Sequence, residues 1–323
     1  MTTTFPGAST VLSTLLILTI GWFAAPNASQ RGANEGFLLF TTDRDNPSNL
    51  EICPNCEDVY AMSPDGSNAT RLTYGGGAPA DLAAYNSGGA DWSHSKKLIA
   101  LHSNRIGATP QIHLMNPDGS EQALLVSLPG GAAFPSFSHS GNQLCFHSQT
   151  MPRRDIYIVS VQGTGLTNLT SPEQLPGQLG LFGDNIRCDW SAKGNAIAFG
   201  STRHDPVGTM AANKNEEIYL MNADGSDVVR LTNVAGADAN PAWSPKGDRI
   251  AFESNRTGRP EIWVMNADGS DQVRLTNFDA ELTPSNVSVT KPTWLPRETG
   301  SRSIAEWLDR GGRARAVTPR STR

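Results

Sequence analysis

The sequence predicts an all-β fold, a β-propeller of four-stranded blades, on three observations. Two stretches are nearly the same: EIYLMNADGSDVVRLTN from Glu217 to Asn233 and EIWVMNADGSDQVRLTN from Glu261 to Asn277. Fainter copies begin at Val59, Ile112 and Ile156, so five units fall between about Phe37 and Arg297. Each unit carries four short apolar segments divided by turn residues, the signature of one blade in a repeat array. With 31 Gly and 21 Pro in 323 residues, short strands and turns are favoured over long helices.

In the last unit the four segments read RIAFES, EIWVMN, QVRLT and KPTWLP. In the first, Ile250 and Phe252 alternate with Ala251 and Glu253. The same places hold Leu38 and Phe40, Ile99 and Leu101, Leu144 and Phe146, and Ile197 and Phe199. A period of two marks a strand. Between the second and third segments Asp65, Asp118, Asp224 and Asp268 each precede a Gly, which tolerates the positive φ of a tight hairpin. These are read as turns and not calcium loops, because an EF-hand needs further acidic ligands and a Glu at its twelfth place. The fourth segment repeats an aromatic residue, Trp92, Phe137, Trp190, Trp243 and Trp294, expected to pack between neighbouring blades.

Three motifs, I-A-F-x-S-x-R at Ile250 to Arg256, E-I-Y-x-M-N-A-D-G-S at Glu217 to Ser226 and W-S-P-x-G at Trp243 to Gly247, resemble the WD-like propeller repeats of TolB-type proteins. The resemblance runs from about Phe37 to Arg297 and implies the fold. It also implies six blades, the general number in that family, against the five counted, so the expectation is five or six. Similar propellers precede the hydrolase domain of prolyl-oligopeptidase-type enzymes, but this sequence contains no G-x-S-x-G elbow.

The repeat enters on Phe37 to Thr41 and leaves on Thr293 to Pro296, so its first and last blades are each incomplete. The last segment is expected to join the first blade as its innermost strand, which closes the ring without an exposed edge. Ahead of the repeat, Val11 to Ala25 is apolar and uncharged, a length that suits an export-signal core better than a bilayer span. The first basic residue, Arg31, follows that run. Residues 1–29 are therefore read as a signal peptide or signal anchor, 30–297 as the propeller and 298–323 as a basic tail. In the tail Ser303 and Glu306 have capping-box spacing, and a short helix is expected over Ser303 to Asp309. The expected location is periplasmic or extracellular, with no membrane span in the mature chain. Cys53 and Cys56 form the one close cysteine pair, read as a local disulfide over the alternatives of half a metal site or a redox motif.

The formal charge is -5, and the segment from Glu298 onward holds six Arg against three acidic residues. The propeller is thus acidic, which argues against nucleic acid as its partner.

Loop lengths locate the expected site. From the aromatic to the next Ile-type residue is seven residues in four units, and Met62 to Leu72 through Met265 to Leu275 is always ten. The other two connections vary: Phe40 to Tyr60 and Phe199 to Tyr219 span 20 where Phe252 to Trp263 spans 11, and Leu72 to Trp92 spans 20 where Leu231 to Trp243 spans 12. Because antiparallel strands alternate direction, the invariant turns share one face of the disc and the variable connections share the other. Variable loops on a rigid scaffold are where binding usually resides. Near that face His102, His147 and Glu253 hold equivalent places with Thr41 and Gly200, and Arg105, Arg203 and Arg256 follow as an S-x-R series. All six are candidate ligand-binding residues. The plainer account of each is packing, and of each Arg that it braces its own loop.

No phosphate loop, HExxH or nucleophile elbow occurs, so no cofactor, metal or catalytic residue is assigned. The expected function is an exported noncatalytic scaffold for a protein or envelope-associated ligand. The alternative is a hydrolase or lyase acting on carbohydrate with channel-mouth carboxylates.

Overall fold

A computed structural model describes residues 17–22, 36–42, 57–63, 66–74, 86–151, 153–171, 183–205, 215–276, 292, 294, 304–308 and 314–317. Its described residues form five four-stranded antiparallel sheets and one two-stranded ribbon, with no helix among them. The first blade holds β1 (Ile17–Trp22), β2 (Gly36–Thr42), β3 (Asp58–Met62) and β4 (Thr70–Arg71). The second holds β5 (Ser87–Ser93), β6 (Leu98–Ser103), β7 (Gln111–Met115) and β8 (Ala123–Val126). The third holds β9 (Ala132–Phe137), β10 (Gln143–Ser148), β11 (Ile156–Ser160) and β12 (Thr167–Asn168). β13 (Asn185–Trp190), β14 (Ala196–Ser201), β15 (Glu217–Asn222) and β16 (Val229–Arg230) make the fourth, and β17 (Asp238–Trp243), β18 (Arg249–Ser254), β19 (Glu261–Asn266) and β20 (Val273–Arg274) the fifth. Five blades, the number counted from the repeat, are present.

The conserved letters of the repeat have separable physical tasks. Alternating residues of the second strand in each blade, such as Ile250 and Phe252, are fully buried, and each such side chain contributes about 1.5–3 kcal/mol on leaving water. Trp92, Phe137, Trp190 and Trp243 are all buried, as expected, and the core clusters join neighbouring blades: Trp92 packs with Phe37 and Leu39 of the first blade, Trp190 with Cys145 and Ile156 of the third. The acid that opens the EIY segment and the Arg and Thr of the RLT segment form one unit. Glu217 is buried and receives a 2.9 Å ion pair from Arg230 while Thr232 donates to its other oxygen, and Glu261 with Arg274 and Thr276 repeats this. Asp58 with Arg71 and Thr73 does the same, whereas in the third blade Asn168 holds the Arg place and donates to Asp155 Oδ2, and Asp155 Oδ1 accepts from Thr170 and from Arg153 two residues upstream. In the D-G-S turns Asp118 Oδ1 accepts Ser120 N at 2.9 Å and Ser120 Oγ at 2.6 Å, and Asp224 and Asp268 behave alike. Gly119, at φ 84°, could carry no side chain, since a Cβ there would lie 2.6 Å from the carbonyl of Leu72 in the preceding blade.

Two expectations differ from the structure. The inner place beside β2 is held by β1 and not by Thr293 to Pro296: Ile17 pairs with Thr41 and Trp22 with Gly36. The apolar N-terminal run alternates well enough to serve as a strand, and only one strand can occupy that edge of β2. Trp294 instead donates its indole N–H to the Ala242 carbonyl of β17 at 2.9 Å. In the tail, the stretch expected as a helix is strand β21 (Ile304–Leu308), paired with β22 (Ala314–Val317). The intervening sequence contains Gly311 and Gly312, a hairpin composition, and cross-strand pairing outweighs the capping-box signal. The C-P-N-C pair lies outside the described residues.

Candidate functional site in the channel

β5, β9, β13 and β17 lead their sheets and are stitched to one another by the residue before each aromatic. Asp91 Oδ2 accepts Phe137 N of the next blade at 2.7 Å, Ser136 Oγ accepts Trp190 N at 3.3 Å, and Asp189 Oδ2 accepts Trp243 N at 2.6 Å. Asp189 Oδ1 also receives Ser136 Oγ at 3.0 Å. A carboxylate bonded to backbone N–H is a stronger link than a neutral pair. These two acids of the channel wall thus staple blades together.

Two residues earlier the inner strands bulge. Gly89, Phe134, Arg187 and Asn240 hold this equivalent place with φ of 54°, 55°, 58° and 53°, and the register of each blade shifts there. For the three that carry a Cβ, the left-handed conformation costs on the order of 1–3 kcal/mol and persists only where surroundings enforce it. The enforcing partners are the residues singled out by register. His102 Nδ1 accepts Phe134 N at 3.4 Å, and His147 Nδ1 accepts Arg187 N at 3.2 Å, so each imidazole braces the bulge of the blade after it. A neutral ring that accepts at Nδ1 carries its proton on Nε2. Glu253 Oε2 accepts Asn240 Nδ2 at 2.7 Å within its own blade.

The bulge gathers what sequence spacing left apart. The Phe134 ring lies 4.7 Å from His102 and stacks on His147 at 5.4 Å with planes 12° apart. The Arg187 guanidinium carbon sits 3.5 Å from the centroid of Phe134. At the fourth blade the register position is Gly200, where any Cβ would collide with Glu216 Oε1. The Glu216 carboxyl fills that space, and Oε1 is buried without a hydrogen-bond partner among the described residues. Burial pushes Glu216 up to about 8, against the pull of Arg187 and with the help of Glu253. Burial also lowers the Arg187 guanidinium, which Glu216 and Glu253 oppose. Among the described residues no three His, Cys, Asp or Glu side chains are grouped to hold a metal.

The S-x-R arginines go elsewhere. Arg203 is buried, donating to Ser201 Oγ at 3.1 Å and Asn185 Oδ1 at 2.7 Å, with Phe199 and Tyr219 each 4.9 Å away. Arg256 donates to Ser254 Oγ at 2.8 Å, Gln272 Oε1 at 2.7 Å and Asp238 Oδ2 at 2.6 Å, over the Trp263 ring. Arg105 Nε reaches Ser103 Oγ at 3.4 Å. Each therefore contacts its own blade. Beside the bulge, Cys145 of β10 and Cys188 of β13 form a disulfide between the third and fourth blades, with Cα atoms 6.3 Å apart.

Below the bulge the channel opens into a cavity of about 620 Å³. Phe134, Arg187 and Asn240 of the bulge line it, as do His94, His139 and Pro245 of the invariant turns. Most of the variable connections lie outside the described residues. Sequence reasoning missed Phe134, Arg187, Asn240 and Glu216. The first three stand three places before the aromatic, where Gly89 completes the series, so aligning the units on that aromatic would have exposed the position.

Blades, staples and channel define a WD-like repeat propeller. The TolB beta propeller domain family matches residues 206–311. An uncharacterized protein of Agrobacterium fabrum, Atu1656, is 41% identical, over 71% of this chain and 84% of that one. A TolB homologue of Chlorobium luteolum is 31% identical over 162 residues, half of this chain and 32% of that protein, so the chain spans about a third of that relative's length. Among solved structures, a putative TolB from Agrobacterium tumefaciens superposes with a TM-score of 0.58 at 21% identity, covering 81% of each chain. The chain belongs to the TolB-like β-propeller proteins.

Proposed function

We propose that the protein is an exported, noncatalytic propeller scaffold that binds a protein or envelope-associated ligand on its variable-connection face. The observation that carries this reading is the state of the channel acids: Asp91 and Asp189 accept backbone N–H groups across blade boundaries and so serve the ring. The kinship with TolB supports a protein partner and a periplasmic setting, and residues 1–29 are the proposed export signal or anchor. In this reading His102, His147 and Glu253 hold the base of the binding face in shape, while Arg105, Arg203 and Arg256 brace the strand ends from which its loops depart. Cys53 and Cys56 are proposed to pin one of those loops. The test is a pull-down from envelope extract with the wild-type chain and a chain lacking residues 206–214. A protein retained by the first and lost by the second supports the reading; recovery that is equal, or nil, contradicts it.

One observation favours a second reading, a carbohydrate-active hydrolase or lyase. A carboxyl raised to about 8 beside Arg187 and Glu253 has the properties of a general acid at neutral pH. Release of reducing ends from envelope polysaccharide by the wild type but not by Glu216→Gln would establish it.

A further inference from the structure

We propose that the channel cavity is a binding site for a carboxylate-bearing ligand, held by the guanidinium of Arg187. Its volume of about 620 Å³ lies within the range of small-ligand pockets. Its lining includes Trp92, Trp190 and Trp243, which suit an apolar or aromatic body. Arg187 lines the space, and its side chain donates no hydrogen bond among the described residues; its guanidinium carbon lies 3.5 Å from the centroid of the Phe134 ring. Arg203 and Arg256 differ in this respect, since both are hydrogen-bonded within their blades. A guanidinium over an aromatic ring can still present an N–H edge, and that edge matches a carboxylate bidentately.

Asp91, Asp189 and Glu253 are each bonded to a donor other than Arg187: the two aspartates accept a backbone N–H from the next blade, and Glu253 receives the Asn240 amide. Burial keeps Glu216 largely protonated at neutral pH. Among the described residues the cavity is lined by inner-strand and invariant-turn residues, so the inference does not rest on the proposed protein site. A small organic acid and the terminal carboxylate of a polypeptide present the same chemistry.

The test is calorimetric titration of the full-length protein at pH 7 with 2-naphthoate and its neutral counterpart 2-naphthamide, and with Ala-Ala-Phe bearing a free or an amidated C-terminus. At least one acid is expected to bind about tenfold more tightly than its amide, as a charge-assisted pair requires. Arg187→Gln, shown folded by its thermal melt, removes that preference, and Arg187→Lys, which keeps charge without the planar fork, retains part of it. Preference for naphthoate alone assigns small organic acids; preference for the free tripeptide assigns chain ends. Equal binding of acid and amide by the wild type, no binding of either acid, or an undiminished acid preference in Arg187→Gln overturns the assignment. The wild-type contrast decides even if the glutamine variant fails to fold.

Discussion

The Arg187 guanidinium carbon stands 3.5 Å above the centre of the Phe134 ring, joining the bulged inner strands of two successive blades. A partly desolvated cation–π contact of this kind is worth about 1–2 kcal/mol. A double-mutant cycle with Phe134→Leu and Arg187→Gln, read by urea unfolding, is expected to give a coupling of that size. Additive effects would mean the two side chains act separately.

The pH dependence follows from Glu216. Its folded-state value, about 8, lies above the ordinary 4.5. Between those two values the unfolded chain has lost a proton that the native protein retains, so this group's contribution to stability falls as pH rises through the window. The slope is at most about 1.4 kcal/mol per pH unit. Glu216→Gln is expected to match the wild type near pH 4 and to exceed it in stability near pH 8, as measured by denaturant midpoints across the range. Parallel pH profiles for the two proteins would place the Glu216 carboxyl in water.

The disulfide between Cys145 and Cys188 closes a sequence separation of 43 residues. Loop-closure entropy for a ring of that length gives about 4 kcal/mol, with measured losses of native disulfides at roughly 2–5 kcal/mol. The equivalents of Cys145 are Leu39, Ala100, Ala198 and Ala251, so Cys145→Ala with Cys188→Ala puts at the first site the side chain that three other blades carry there. That double variant is expected to unfold at lower denaturant, and reductant is expected to shift the wild type but not the variant.

In four of the five blades an acid at the head of the third strand pairs with an arginine. Arg230→Ala leaves Glu217, whose side chain is fully buried, with Thr232 but without a cation. Breaking a buried pair costs about 3–5 kcal/mol, and because the Arg230 side chain is 26% exposed the loss should fall nearer 2–3 kcal/mol. Thermal unfolding of Arg230→Ala beside wild type measures it; a change within 0.5 kcal/mol, about the spread of surface substitutions, would show the pair to be solvated.

What could be read from the chain was whatever the repeat imposes on every unit. Ile250 and Phe252 alternate, Asp268 and Gly269 turn, and Trp243 is buried, because each obeys a local rule of period or backbone geometry. Cys145 and Cys188 obey none: each fills an ordinary Ala or Pro slot, and only the packing of one blade on the next brings them together. Arg187 and Phe134 share a position that alignment on the aromatic exposes, but the bulge that brings them together is a property of the ladder and not of the strand's own sequence. The histidines were found by register, but their task was not. His102 and His147 hold the neighbouring blade's backbone, a contact that lies across the period. At Ile304 to Leu308 a local helix signal was outweighed by a pairing partner at Ala314 to Val317, and at Ile17 to Trp22 a run read as an export signal also satisfied the edge of β2.

Which face of the disc meets the partner is the claim on which the functional account turns. Site-specific photo-crosslinking in native envelope extract tests it, with a benzophenone side chain placed either at Thr209 in a variable connection or at Ser226 in an exposed Asp-Gly turn. The account predicts a protein adduct from Thr209 and none from Ser226. Adducts confined to Ser226 would contradict it.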